Sequence, residues 1–170
     1  TKKEIYPHNK LCDIISYCEQ NNLRLDEYVL RHEGETIIPY IKDIYQVMVA
    51  AIARGIATAG DLPGELRVKR KAPTMYQRMV DEHKENDFST NVAIAAFAVA
   101  EENASGGLIA VAPTCGSAGV IPGIIKYMQM NNIEEQRILN GLLVAGLIGM
   151  LAKTNASISG AEAGCQAEIG

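Results

Sequence analysis

The chain has 170 residues with a formal net charge of −4, and 48% of its residues are hydrophobic and 21% charged. This length suffices for a domain with a sizeable core, and the acidic balance gives no support to a nucleic-acid partner. Its four cysteines form no CxxC pair, which argues against a secreted disulfide framework and favours a reducing compartment.

No signal-peptide pattern opens the sequence, since lysines and a glutamate precede a mixed segment. The longest apolar run, residues 138–152, is interrupted by Asn140 and is too short to span a bilayer. We therefore expect a cytoplasmic protein with no membrane partner.

Apolar residues recur at helical spacing along most of the chain. We predict an all-α domain of six to eight helices in a compact array, with Ser89 capping the fifth helix. The alternative is an α+β fold with one short strand near residues 108–112. The predicted helices cover residues 10–20, 25–31, 36–59, 73–84, 91–103, 120–130 and 134–153.

Glycines inside two of the predicted helices indicate close packing. Gly55 in the third helix costs about 1 kcal/mol relative to alanine, so we expect a neighbour to approach it closely. Gly141, Gly146 and Gly149 give the last helix a small face where another helix can approach.

Several charged residues leave alternatives open. The basic cluster at residues 67–71 is either a solvated loop or a site for a substrate carboxylate or a partner surface. Glu101 and Glu102 are a weak acid/base signal, because successive helical side chains diverge by about 100°. His32 next to Glu33 predicts a solvated surface pair.

Two segments combine small residues with polar or reactive ones. Residues 155–170 place Cys165 among Glu162, Gln166 and Glu168, where it is either a small buried hydrophobe or a reactive thiol. Residues 112–118, Ala-Pro-Thr-Cys-Gly-Ser-Ala, lack any phosphate-loop pattern, but exposed amides there could hold a carboxylate.

Four segments together resemble the α chain or α domain of the iron–sulfur-dependent L-serine dehydratases. They are Asn-Ala-Ser-Ile-Ser-Gly-Ala-Glu-Ala-Gly-Cys-Gln-Ala-Glu-Ile-Gly at 155–170, Ala-Pro-Thr-Cys-Gly-Ser-Ala-Gly-Val-Ile-Pro at 112–122, Glu-Glu-Asn-Ala-Ser-Gly-Gly at 101–107 and, more weakly, residues 62–72. The resemblance runs from about residue 40 to the end. It implies one helical domain over residues 1–170, an incomplete α domain without its β domain.

The resemblance implies conversion of L-serine to pyruvate and ammonia without pyridoxal phosphate. In this family a 4Fe–4S cluster held by three cysteines leaves one iron open as a Lewis acid for the serine hydroxyl. Cys165 is the implied cluster ligand. The other two cysteines of the family lie downstream of the matching motif. We therefore expect the cluster to be absent from this chain and the chain alone to be inactive.

The resemblance also implies a substrate pocket in which the loops at 114–117 and 157–160 meet. Its candidate residues are Thr114, Gly116, Ser117, Ser157, Ser159 and Gly160. The base that removes the α-proton is either Glu162 or a histidine from the β domain. Implied partners are L-serine, a β chain or β domain, and further copies in a homo-oligomer. Alternative functions are a related lyase for L-threonine or L-cysteine, and a non-catalytic helical binding module.

Overall fold

The computed structural model describes residues 5–169, and these residues form helices joined by turns. The all-α prediction is confirmed. Within the described range there is no strand, so the alternative with a strand at 108–112 is wrong; an isolated antiparallel bridge joins Asp61 and Lys69. The helices are α1 Leu11–Asn21, α2 Leu25–Glu33, α3 Ile37–Ala57, α4 Ala72–Asp81, α5 Phe88–Ala104, α6 Val120–Met130, α7 Glu135–Asn155 and α8 Gln166–Ile169.

The described residues divide into two units. The first unit comprises residues 5–43, 112–114 and 135–169, and the second comprises residues 44–111 and 115–134. The division falls inside α3, between Asp43 and Ile44. Each unit is described below by itself.

In the first unit, α2 packs against α1 and α7. Ile14 of α1 and Tyr28 of α2 are fully buried, and Leu143 and Leu147 of α7 are each 2% exposed. Burial of large side chains such as these contributes about 1.5–3 kcal/mol each. Large apolar side chains of all three helices therefore form the core of this unit.

Tyr28 is the centre of an aromatic cluster in the first unit. The ring of His32 lies 4.3 Å from the Tyr28 ring between centroids, and Tyr17 meets Tyr28 edge-on at 5.7 Å. His32 Nδ1 is 2.9 Å from the Tyr28 carbonyl oxygen. The interpretation of His32 as half of a solvated surface pair is wrong, because its ring packs against Tyr28, one helical turn earlier, and lies 6.1 Å from the Tyr17 ring of α1 between centroids.

In the second unit, α5 packs against α4 and α6. A buried cluster joins Ala51 and Ile52 of α3 to Ala95 and Val99 of α5. A Cβ atom on Gly55 would lie 2.7 Å from the Ala98 Cα atom, closer than side chains tolerate. The predicted close packing at Gly55 is confirmed: only glycine lets the two backbones approach this far.

The start of α5 differs from the prediction. The helix begins at Phe88, and the Asp87 carboxylate accepts a hydrogen bond from the Thr90 backbone nitrogen at 3.3 Å. Asp87 is thus the N-cap, and Ser89 lies within the first turn. The assignment of Ser89 as the cap is wrong because Asp87 reaches the third amide of the helix, which an N-cap side chain satisfies.

By length and composition alone, α7 is apolar enough to cross a membrane, with a mean hydropathy of 1.4 over its most apolar 18 residues. A core helix meets the same criterion, since it too must be apolar. Leu143 and Leu147 are buried inside the folded chain. Of the most apolar 18-residue window of α7, 39% is buried inside the folded chain.

Candidate functional site

The end of α7 is held by Asn155, the first residue of the polar segment in the first unit. Its side-chain amide donates hydrogen bonds to the Leu151 carbonyl at 2.9 Å and to the Asn9 carbonyl at 2.7 Å. The amide thereby caps the last turn of the helix and ties the N-terminal stretch of the unit to it. These two hydrogen bonds fix the position at which the segment after residue 155 begins.

Residues 157–164 fold into consecutive tight turns. The Ser157 hydroxyl oxygen accepts from the Ser159 amide, and the Ser159 hydroxyl oxygen accepts from the Ala161 amide, both at 3.3 Å. The Ser159 carbonyl accepts from the amides of Glu162 at 3.0 Å and Gly164 at 2.8 Å. Both serine hydroxyls act as acceptors here, and each hydroxyl keeps its proton for another acceptor.

Gly164 closes this turn and determines where Cys165 lies. Its φ of +51° is in the left-handed region, and a Cβ atom there would lie 3.2 Å from the Gly160 Cα atom. Glycine is the residue that adopts this conformation without steric cost. Cys165 follows, half-buried, immediately before α8. Glu162 is exposed, and within residues 5–169 its carboxylate makes no hydrogen bond or ion pair.

Thr114 joins this segment from a distant part of the sequence. Its hydroxyl donates a short hydrogen bond to Oε1 of Glu168 in α8, although the two residues are 54 positions apart. The backbone before Thr114 is held by α7, since a Cβ atom on Gly149 would lie 3.0 Å from the Ala112 Cβ atom. The first unit therefore brings Thr114 of one predicted motif to the segment that carries Cys165.

The small face predicted for α7 is only partly correct. At Gly149 the close neighbour is Ala112, which belongs to a loop and not to a helix. At Gly141 and Gly146, an added Cβ atom would meet no described atom within 4 Å. The prediction of a helix against these two glycines is wrong, because residue size alone does not tell which side of a helix is covered.

In the second unit, the loop before α6 is held by Asn103 at the end of α5. The Cys115 carbonyl accepts from the Asn103 side-chain amide and from the Ala118 backbone amide, both at 3.2 Å. Cys115 and Gly116 are exposed, and Ser117 is half-buried. Asn103 lies in a motif that the sequence analysis quoted, but no local pattern indicates that it positions this loop.

The two adjacent carboxylates of α5 have separate structural roles. Glu101 accepts from the backbone amides of residues 71–72, at the N-terminus of α4, at 2.5 and 3.3 Å. Glu102 accepts from Arg54 Nε at 3.0 Å and from Arg70 Nη1 at 3.1 Å. Burial acts to raise the pKa of Glu102, but the hydrogen bonds from the two arginines outweigh it and hold that pKa below its usual value. Neither carboxylate is placed as an acid/base group.

The basic cluster at residues 67–71 divides between two environments. Arg70 is buried, and its partners are Glu102 and the Ser105 hydroxyl, the latter at 2.6 Å from Nη2. Lys69 is exposed and pairs with Asp61. The solvated-loop interpretation is wrong for Arg70, because this side chain is buried and pairs with the Glu102 carboxylate of the same chain.

The thiols that could hold an iron–sulfur cluster are the free cysteines at positions 12, 18, 115 and 165. Within residues 5–169, no group of three or more histidine, cysteine, aspartate or glutamate side chains could hold a metal ion. Cys12 is exposed and Cys18 buried, so they lie on different sides of α1. The described donors do not fit a complete cluster site, which needs several thiolates. Cys165, a half-buried free thiol, can supply one of them.

The predicted site residues are thus distributed over both units. Thr114, Ser157, Ser159, Gly160, Glu162 and Cys165 belong to the first unit, while Gly116 and Ser117 belong to the second. Their assignment to a substrate pocket stays a prediction. Glu168 was noted in the sequence only as a polar neighbour of Cys165, and its contact with Thr114 becomes visible only in the folded chain.

Comparison with known proteins agrees with these motifs. The family described as serine dehydratase alpha chain matches residues 9–170. L-serine dehydratase of Haemophilus influenzae is 39% identical over 176 residues, and L-serine dehydratase 2 of Escherichia coli K12 is 37% identical over 176 residues. L-serine dehydratase of Streptomyces coelicolor is 37% identical over 174 residues.

Each of these alignments covers 97% of this chain but 38–39% of the relative. The chain therefore spans about two fifths of the length of the curated relatives it matches. A family match over nearly the whole chain, together with this level of identity, establishes the relationship. The chain belongs to the serine dehydratase alpha chain family.

Proposed function

We propose that the full-length protein containing this chain is a cytoplasmic L-serine ammonia-lyase that forms pyruvate and ammonia. Its cofactor would be a 4Fe–4S cluster to which Cys165 contributes one thiolate, with further ligands supplied from outside the described residues. Thiolate softness suits iron–sulfur clusters. The family and its relatives named L-serine dehydratase support the activity.

One structural observation carries the proposal to particular residues: the hydrogen bond between Thr114 and Glu168. It joins the Pro-Thr-Cys-Gly segment to the Gly-Cys-Gln-Ala-Glu segment inside the first unit. Both segments consist of small and polar residues, and the second one carries Cys165. Two motifs that a hydrogen bond joins support a common role in substrate binding.

The reaction sets the requirements for these residues. L-serine loses its α-proton and its β-hydroxyl group as water, which gives an enamine. The enamine rearranges to an imine, and the imine takes up water to release ammonia and pyruvate. The pocket must therefore hold serine, orient its hydroxyl and remove one proton. We assign binding to Thr114, Gly116, Ser117, Ser157, Ser159 and Gly160.

The base has two candidates, Glu162 and a histidine of a β chain or β domain. Glu162 is exposed at the turn before Cys165, so a second domain or a further copy of the chain could cover it. A base must come within hydrogen-bond reach of the proton that it removes. Glu162→Gln in the full-length protein should abolish turnover if Glu162 is the base, and should leave turnover intact if the histidine is.

The deciding experiment is a substrate panel with the full-length natural protein, purified without oxygen. L-serine, L-threonine and L-cysteine are each supplied, and pyruvate, 2-oxobutyrate, ammonia and sulfide are measured together with the iron content. We expect iron to be present and turnover to be fastest with L-serine. Faster turnover of threonine or cysteine would favour the related lyase, and absence of both iron and turnover would favour a binding module.

A further inference from the structure

The contact between Thr114 and Glu168 restricts what the pair can bind. The Thr114 hydroxyl donates its proton to Oε1 of Glu168, and both side chains are half-buried. Each partner is held by independent backbone features. Ala112, two residues before Thr114, packs on Gly149 of α7, and Glu168 lies in the short helix that follows the Gly164 turn.

Hydrogen-bond chemistry determines whether this pair can donate or accept a further hydrogen bond. A hydroxyl has one proton, and a carboxylate only accepts hydrogen bonds. The Thr114 proton is therefore committed to Glu168, and the threonine oxygen has only lone pairs left for a third group. An amino acid carries an ammonium group that needs acceptors and a carboxylate that needs donors. Of these two charged groups, only the ammonium group matches the pair.

We propose that Thr114 and Glu168 together bind the α-ammonium group of the amino acid substrate. This inference rests on the proposed function and deepens it, because it assigns one end of the substrate to a particular pair. Cys165 lies three residues before Glu168. An ammonium group held by Glu168 would therefore place the rest of the amino acid near the thiol.

Glu168 contributes a charge as well as a lone pair. Hydrogen bonds between ionised partners are about twice as strong as those between neutral groups. A site built around such a bond discriminates strongly against analogues that lack the bonded group, because its polar groups are then left unpaired. The pair should thus select for amino acids over hydroxy acids of the same shape.

A purely structural tie between the two segments would have different consequences. Its loss would reduce the stability of the first unit and weaken every ligand alike. Loss of an ammonium site would weaken only ligands that carry an ammonium group. The test therefore compares L-serine with 3-hydroxypropionate, which has the same carboxylate and β-hydroxyl but hydrogen in place of the ammonium group.

The experiment uses the full-length natural protein and its Thr114→Val, Thr114→Ser and Glu168→Gln variants. We measure KM and kcat for L-serine, Ki for 3-hydroxypropionate as a competitive inhibitor, and the iron content. Thr114→Val and Glu168→Gln should raise KM for L-serine by about tenfold or more, the usual effect of losing a hydrogen bond to a charged group. Ki for 3-hydroxypropionate and the iron content should stay within about twofold of wild type on the same reasoning.

Thr114→Ser tests rescue by the conservative change: it retains the proton that is donated to Glu168, so its KM should lie closer to the wild-type value than that of Thr114→Val. Equal weakening of serine and 3-hydroxypropionate, or an unchanged KM in Thr114→Val, would overturn the ammonium assignment while wild-type turnover still upholds the proposed function. A wild-type protein that does not act on serine would remove the proposed function and this inference together.

Discussion

The Arg70 guanidinium and the Glu102 carboxylate form an ion pair with Nη1 and Oε1 3.1 Å apart, and their side chains are 6% and 8% exposed. Arg54 approaches the other carboxylate oxygen at 3.0 Å, and its Nη2 donates to the Leu108 carbonyl at 2.5 Å. One carboxylate of α5 thus connects α3, the segment before α4 and the segment after α5 in the second unit.

Glu102→Gln should destabilise the 170-residue chain strongly, by about 3–5 kcal/mol, because Arg70 would remain buried without a counter-charge. The free energy of unfolding in urea measures this effect. Asp61→Asn is the matched control, since it breaks an ion pair with Lys69, whose side chain is 78% exposed. Exposed pairs are worth about 0–1 kcal/mol. Equal losses in the two variants would contradict the structural role of Glu102.

The lowered pKa of Glu102 predicts a dependence of stability on pH. The folded chain binds the Glu102 proton less tightly than the unfolded chain, where the pKa of a glutamate is about 4.3. Its contribution is therefore present above that value and is lost as pH falls through the lower folded pKa. Urea unfolding at pH values from neutral to about 3 should show a steeper loss in the wild type than in Glu102→Gln. Identical slopes would speak against this assignment.

Gly55→Ala should destabilise the chain although alanine is the better helix former. The new Cβ atom would lie 2.7 Å from the Ala98 Cα atom, and overpacking of this kind costs about 1–3 kcal/mol. Gly141→Ala in α7 is the control, because no described atom lies within 4 Å of its Cβ position. That change should stabilise by about 0.4–1 kcal/mol. Thermal unfolding of both variants tests the pair, and a stabilised Gly55→Ala would refute the close approach.

The cap of α5 can be tested with two alanine substitutions. Asp87→Ala should cost about 0.5–2 kcal/mol, because the Thr90 amide loses its side-chain acceptor. The Thr90 hydroxyl bond also holds the pKa of Asp87 below its usual value, so the loss should be larger at neutral pH than in strong acid. Ser89→Ala should have little effect on the unfolding midpoint. The reverse order would restore Ser89 as the cap.

Cys165→Ser in the full-length natural protein should remove most of the bound iron and the lyase activity, because a serine hydroxyl is a poor replacement for a thiolate ligand. Cys12→Ser is the matched control, since Cys12 is a free, exposed thiol on α1. Iron analysis and absorbance after anaerobic purification give the readout. Wild-type iron content in Cys165→Ser would exclude Cys165 as a ligand.

Several elements follow from local sequence because their cause is local. The apolar periodicity predicts α6 at residues 120–130, as found, and places α3 and α7 within a few residues of their observed ends. Helical periodicity depends only on which residues recur every three to four positions. Asp87 shows the limit of this reasoning: the sequence predicts Ser89 as the cap of α5, and the observed cap lies two residues earlier.

Long-range contacts decided what local patterns left open. The run of basic residues at 67–71 does not tell which of them is buried, and it is Arg70, because Glu102 lies beside it in the folded chain. His32 stands beside charged residues in the sequence, but its ring packs in an aromatic cluster that includes Tyr17 of α1. Glu102 and Tyr17 are both distant in sequence from the side chains that they contact, so local patterns could not predict these environments.

The amino-acid sequence by itself determined the all-α class, the family motifs and Cys165 as the candidate ligand, because periodicity and motif spacing are properties of the chain. Only the tertiary structure decided that Glu101 and Glu102 are structural, that Asn103 holds the Cys115 carbonyl, and that Thr114 meets Glu168. The physical reason is distance along the chain: Thr114 and Glu168 are 54 residues apart, and their contact depends on how α7, the Gly164 turn and α8 pack together.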